Sequence, residues 1–385
     1  MKRMVCIAAA ILLSLSAWAE DFSGFMDTAF GSDINSLTAK LEKDGWKKDG
    51  TDYATFDGDF FTYYYAKDYY VKEDSTTHAD SIALTASYNQ NKFYMATEVY
   101  QFTQPETLAV LSESEKNTVS RYNLRRCSEQ ELLPLKTFFS FDEEQILSDT
   151  SEIGDLSASC ARFYISDSGN YYAVIVEQID ADPEMNMVMI ISGLGSDCQK
   201  EYGSKVSAPK LKAKKNSSEV FAGIPFGTKA IDSILTLKAD GWAIVASQSG
   251  ANDFYYVYAI KEGGKFNGID VDALMLVFHD DALLLGGAMF EATEDFAAKK
   301  EQLANLEKSY TKSFKLKNAT KEEVEKYSDA MGAPMWEDEA NQTEVGNMDY
   351  GLRIVKSKEG SIFQFRADET GVVILQLAKS KVWHF

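Results

Sequence analysis

Residues 30–46 read FGSDINSLTAKLEKDGW and residues 226–242 read FGTKAIDSILTLKADGW; the two stretches align without a gap at an offset of 196. Phe30, Gly31, Gly45 and Trp46 fall on Phe226, Gly227, Gly241 and Trp242, with Ser32 on Thr228 and Leu41 on Leu237. Apolar residues recur at helical spacing, Ile34, Leu37 and Leu41 in one copy and Ile231, Ile234 and Leu235 in the other. Each stretch therefore predicts one amphipathic helix. Ser32 and Thr228 stand just before the periodic run, where a hydroxyl accepts from first-turn amides, and are expected to be N-caps. Gly45 and Gly241 suit the left-handed residue that closes a helix. In that ending Trp46 and Trp242 follow the glycine and touch Leu41 and Leu237, so both indoles are expected in the core rather than on a ligand.

The sequence downstream of each helix matches as well. Lys47 to Asp59 is polar and punctuated, and reads as a connection. Phe60 to Lys67 and Asp253 to Ile260 are aromatic-rich strands. Aligning them places Phe61, Tyr63 and Tyr65 on Phe254, Tyr256 and Tyr258, a shared face expected to be core. The opposite face, Phe60, Thr62 and Tyr64 against Asp253, Tyr255 and Val257, differs between copies as a solvent or partner surface does. Hairpins follow, Ile82 to Tyr88 with Lys92 to Tyr100, and Ala273 to Phe278 with Ala282 to Phe290, at an offset of 190. Each leads into a helical segment, Pro105 to Tyr122 and Glu294 to Tyr310. Capping boxes come next, Ser128 with Glu131 and Thr320 with Glu323. The strands that close each half carry Arg162 and Gly169 in register with Arg353 and Gly360.

Residues 1–19 read as a secretory signal peptide: Lys2 and Arg3, an apolar run, then Ala17-Trp18-Ala19 before the cleavage point. The mature chain of 366 residues divides into a first half, 20–199, a lysine-rich linker, 200–218, and a second half, 219–385. Removing the leader takes the formal charge from −20 to −22, which argues strongly against nucleic acid and anionic membrane surfaces as partners. Cys127, Cys160 and Cys198 remain, an odd number that does not build a disulfide scaffold.

The repeated motif, Phe30-Gly31-Ser32 to Gly45-Trp46 and Phe226-Gly227-Thr228 to Gly241-Trp242, followed by aromatic strands, resembles the β-lactamase inhibitor protein and the small outer-membrane assembly lipoproteins of the BamE type. Those families carry two short helices before the sheet where one is evident here. The lipid-attachment cysteine of the lipoproteins has no counterpart. The resemblance implies an envelope or secreted protein that binds another protein through a sheet face.

Ser309-Tyr310-Thr311-Lys312 matches Ser-x-x-Lys, but without a companion motif such a match is expected by chance in a chain this long. His78, His279 and His384 have no zinc spacing and read as surface residues. No nucleophile elbow, Walker loop or dinucleotide fingerprint occurs. Asp180 to Asn186 alternates oxygen ligands as calcium loops do, but Met185 stands where glycine is needed; Asp57-Gly58-Asp59 is a second acidic turn. No metal, cofactor or catalytic residue is expected. The sequence predicts an α+β protein of two homologous halves, each with helices packed on an antiparallel sheet. It is expected to be exported, periplasmic or secreted, without a transmembrane span, and to bind a protein through Phe60, Tyr64, Tyr69, Tyr70 and Tyr255. The alternatives are a small-ligand binder, for example of a sugar, or a carboxylate-based hydrolase, at the cleft between the halves.

Overall fold

The computed structural model describes residues 21–67, 79–88, 91–102, 105–132, 160–178, 186–193, 206–212, 217–249, 254–291, 296–325, 344, 351–368 and 371–378. The leader, Tyr69, Tyr70, His78, the Asp180 loop, Cys198 and His384 lie outside the described residues. The chain divides into two compact units, Met1–Thr51 with Asp59–Ser204, and Asp52–Gly58 with Lys205–Phe385. The division at 204 falls inside the lysine-rich stretch. The end of that stretch is not a solvated linker, because Ser217 and Ser218 are buried.

In the first unit a small hairpin, β1 (Gly24–Phe25) and β2 (Thr28–Ala29), precedes helix α1 (Asn35–Lys43). Strands β3 (Lys47–Ala54), β4 (Phe60–Ala66), β5 (Ser81–Ser87) and β6 (Phe93–Phe102) follow. Then come α2 (Pro105–Arg121), β7 (Arg125–Arg126), β8 (Cys160–Ile165), β9 (Tyr171–Gln178) and β10 (Asn186–Gly193). The sheet runs β3-β4-β5-β6-β10-β9-β8-β7, two four-stranded meanders joined through their last strands. The second unit holds β11 (Val220–Phe221), β12 (Ile224–Pro225), α3 (Ala230–Ala239), β13 (Ala243–Ser249), β14 (Phe254–Ile260), β15 (Lys265–Phe266) and β16 (Ile269–Asp270). It continues with β17 (Ala273–His279), β18 (Ala282–Glu291), α4 (Phe296–Phe314), β19 (Lys317–Asn318), β20 (Gly351–Lys356), β21 (Ile362–Asp368) and β22 (Gly371–Leu377). Its eight-stranded sheet runs β13-β14-β17-β18-β22-β21-β20-β19. The fold is thus α+β with antiparallel sheets and few helices.

α1 and α3 are too short to be stable alone, and burial holds them. Leu37 and Leu41 of α1, and Ile234 and Leu237 of α3, are buried, each contributing about 1.5–3 kcal/mol. Both helices end as the sequence requires. Trp46 N–H donates to Leu41 O (2.9 Å) and Gly45 N–H to Glu42 O (3.1 Å); Trp242 donates to Leu237 O (3.0 Å) and Gly241 to Lys238 O (2.9 Å). With φ of 88° and 87° at the two glycines, these are Schellman endings.

The start of each helix differs from expectation. Neither Ser32 nor Thr228 caps its helix; the positions before α1 and α3 are Ile34 and Lys229, with no side-chain cap bond. Instead both hydroxyls donate backwards, Ser32 Oγ to Ala29 O and Thr228 Oγ1 to Pro225 O, each at 2.6 Å. They close a turn whose third residue is Gly31 (φ 77°) or Gly227 (φ 82°), as a type II turn demands. The turn then hydrogen-bonds the sheet, Gly31 N–H to Phe93 O (2.7 Å) and Gly227 N–H to Leu283 O (2.8 Å). The capping box at Thr320 forms in full, the Glu323 amide donating to Thr320 Oγ1 (3.3 Å), whereas at Ser128 only the glutamate arm forms and the Ser128 hydroxyl donates to Glu131 Oε2 (2.8 Å). Glu131 Oε2 accepts from the Ser128 amide (2.8 Å), and Glu323 Oε2 from the Thr320 amide (3.1 Å). Arg125 beside Glu131 holds that carboxyl down at about 2.

The stretch from Lys47 to Asp59 is not only a connection: Lys47–Ala54 is β3, an edge strand that tolerates polar residues and buries Thr51 and Tyr53. The matched arginines each reach a helical glutamate. Arg162 of β8 pairs with Glu115 of α2 and both are buried; Tyr164 also donates to Glu115 at 2.6 Å. Arg353 of β20 lies 3.0 Å from Glu307 of α4. Each pair ties a helix to the face of its sheet.

Candidate functional site

The aromatic surface expected on the first sheet is only partly present. Tyr64 is exposed (42%). Phe60 is not a contact residue: it is 2% exposed and packs edge-on against Tyr94, ring centroids 5.1 Å apart. Tyr255 is partly buried and does not occupy the position matching these two. Lys67 lies over Trp46 as Lys261 lies over Trp242, and the strand registers agree, so β4 and β14 correspond at an offset of 194 rather than 193. A shift of one residue reverses which side of the strand each residue faces. Tyr255 therefore shares its side with Val257 and Ala259, both fully buried. The residue matching Tyr64 is Tyr258, which is partly buried; Ile260, two residues further along the same side, is 44% exposed. Of the motif residues, Phe30 packs against Phe22 and Phe93 at 6.0 and 5.4 Å, and Phe226 joins the buried cluster around Ile354. Trp46 and Trp242 are buried, as expected.

Trp242 does something more. It lines a cavity of about 800 Å³ inside the second unit, where the end of α3, the β15–β16 hairpin and the C-terminal half of α4 converge over the sheet. That volume is in the range of small-molecule sites. Trp242, Phe266, Tyr310 and Phe314 supply aromatic surface, Leu237, Leu274 and Val220 aliphatic surface, and Gln376 a polar group on the sheet floor. Ala208 and Ser217 of the lysine-rich stretch complete the wall.

The wall is braced from behind. Phe266 stacks on Phe221 at 5.1 Å, and Phe221 fits because β18 has Gly286 beneath the ring: a Cβ there would lie 2.1 Å from it. Asn267 and Gly268, at φ 51° and 87°, form the two-residue turn of the hairpin, and Asn267 Nδ2 donates to the Tyr310 hydroxyl. Ala222, at φ 46°, is a non-glycine residue in the left-handed region at the cavity wall. Gln376 is 2% exposed; its amide nitrogen donates to Ser218 O (2.7 Å) and Val220 O (3.2 Å). Burial raises the Tyr310 phenol, keeping it protonated. The charged groups at the rim already have partners. Asp240 accepts from Trp242 Nε1 (3.1 Å) and lies 3.4 Å from Lys261, and Lys265 pairs with Asp270 at 2.6 Å.

The sequence held a readable signal for this site, the Asn267-Gly268 dipeptide between Phe266 and Ile269, which is the strongest short-range mark of a two-residue hairpin. His279 is not a plain surface residue; its ring meets Phe254 at 4.9 Å. Among the described residues no group of three His, Cys, Asp or Glu side chains could hold a metal ion, and Cys127 is a free thiol that burial pushes up to about 12. No described helix is long and apolar enough to cross a membrane. Comparison with protein-family models, with curated proteins and with solved structures finds no match to this chain.

Proposed function

We propose that this chain is an exported, non-catalytic binding protein of two duplicated helix-and-sheet units, and that it takes a small ligand in the cavity of the second unit. The observation that carries the reading is the 800 Å³ cavity walled by Trp242, Phe266, Tyr310 and Phe314. The duplication is supported by the recurrence of the turn, the Schellman ending and the arginine–glutamate pair at equivalent places in both units. Export rests on the leader at residues 1–19. The site lies within one unit, not at a cleft between two, so this reading differs in place from the ligand binder expected from sequence.

A fragment screen of the mature chain by thermal shift tests it. Ala239, at the exposed end of α3, lines the cavity, and Ala239→Trp places an indole across that wall. Fragments that raise the melting temperature of the wild type and not of Ala239→Trp support the reading. A screen whose hits are all retained by Ala239→Trp overturns it. A protein partner on the outer sheet surface is the second reading, favoured by the exposure of Tyr64 and Ile260. It predicts a stoichiometric partner in an envelope pull-down that Tyr64→Ala loses.

A further inference from the structure

Resting on the ligand-binding reading above, the geometry points to an uncharged, hydroxylated ring compound, a neutral mono- or disaccharide, as the ligand of the second unit's cavity. Three features of the wall select it.

The first is charge. Asp240 and Lys265 are the ionised side chains on the wall, and each is engaged within the protein, Asp240 by Trp242 Nε1 and Lys261, Lys265 by Asp270. A charged ligand would give up its hydration and meet no uncommitted counter-charge. An uncharged one loses nothing by this arrangement.

The second is hydrogen bonding at depth. Both protons of the Gln376 amide nitrogen go to backbone carbonyls, Ser218 O and Val220 O, which fixes the orientation of the amide. Its Oε1 accepts from no donor among the described residues, although the side chain is 2% exposed. The Tyr310 hydroxyl accepts from Asn267 Nδ2 and retains its own proton, because burial keeps the phenol neutral. Gln376 and Tyr310 both line the cavity, so one buried acceptor and one buried donor belong to its wall. A ligand with hydroxyl groups satisfies both; a hydrocarbon chain leaves both without partners.

The third is ring surface. Four aromatic side chains and the aliphatic Leu237, Leu274 and Val220 offer flat apolar area. A pyranose has one face of C–H groups and an equatorial rim of hydroxyls, and it matches this combination of aromatic wall and polar floor. The volume of about 800 Å³ accommodates one or two such rings.

The test titrates the mature chain, by calorimetry, with glucose, galactose, N-acetylglucosamine, maltose and cellobiose up to millimolar concentrations. Glucuronate, glucosamine and decanoate serve as charged and apolar comparisons. At least one neutral sugar is expected to bind, with the charged and apolar compounds weaker. Tyr310→Phe removes one hydroxyl and should weaken the sugar about tenfold, and Ala239→Trp should abolish binding. The affinity should be the same at low and high salt, since no ion pair forms. If no neutral sugar binds while screened fragments of other chemistry bind and are lost in Ala239→Trp, the saccharide assignment falls and the cavity reading stands. If nothing binds in a manner sensitive to Ala239→Trp, both fall.

Discussion

Gly286→Ala isolates the packing that supports the cavity wall. A Cβ at this position would lie 2.1, 2.2 and 2.6 Å from three carbons of the Phe221 ring, where ordinary contact begins at 3.4 Å. The ring must retreat by more than about 1 Å or β18 must move. Phe221 is 1% exposed and supports Phe266, so neither adjustment is free. Expelling the ring forfeits about 2–3 kcal/mol of burial, and straining the strand costs a similar amount. The expected loss is therefore about 2–3 kcal/mol. Phe221→Ala alone should cost about 3–5 kcal/mol. In that background Gly286→Ala should be neutral or stabilising by about 0.5–1 kcal/mol, because alanine restricts the unfolded chain more than glycine does. Urea unfolding followed by far-UV circular dichroism, fitted with a transition for each unit, measures all four proteins. A cost for Gly286→Ala within about 0.5 kcal/mol of zero, or a cycle that is additive, would refute the packing argument.

Other perturbations address the rest of the fold. Arg162→Met strands Glu115 in a buried site and should cost about 3–5 kcal/mol, whereas Arg162→Met with Glu115→Leu should recover most of that in urea unfolding. Burial raises Glu98 from 4.5 to about 6, so the folded chain keeps a proton that the unfolded chain releases. Stability should then fall by roughly 2 kcal/mol as pH rises from 4.5 to 6, and Glu98→Gln should flatten that slope and be the more stable protein at pH 7. Gly45→Ala, at φ 88°, should lower stability by about 1 kcal/mol. Phe60→Ala should destabilise by about 3 kcal/mol while Tyr64→Ala stays within about 0.5 kcal/mol, as thermal melts of the two variants will show.

The parts of this fold that were legible from sequence are those fixed locally. The Schellman endings need only Leu, Gly and Trp at set spacing, and the full capping box only Thr320 with Glu323. The hairpins formed as well, but not at one offset: Ser87 pairs with Lys92 where His279 pairs with Ala282, so the second connection is two residues shorter. Ser32 and Thr228 misled because a hydroxyl before a helix can serve the preceding turn equally well, and the glycine before each was the clue that a turn was there. The aromatic strands misled because Phe and Tyr are so dense in both that an alignment one residue out of register still matches; the lysine over each tryptophan, Lys67 and Lys261, decides it. Phe60 is buried by Tyr94, from a strand that is not its neighbour in the sheet, a contact no local pattern records. The cavity draws on α3, β15, α4, β17 and β22; the Leu237 and Trp242 ending of α3 was legible in the chain, whereas the meeting of these five elements is not a local pattern.

The indole of Trp242 reports on the cavity most directly, because its Nε1–H points to Asp240 at the rim. Five tryptophans are present, and loss of Trp18 with the leader leaves four indole signals in a nitrogen–proton correlation spectrum, with Trp242→Phe identifying the relevant one. On titration with the fragments and neutral sugars named above, the Trp242 signal should move saturably while Trp46 stays in place. A Trp242 signal that does not move under any of them, with the protein folded, would contradict the account.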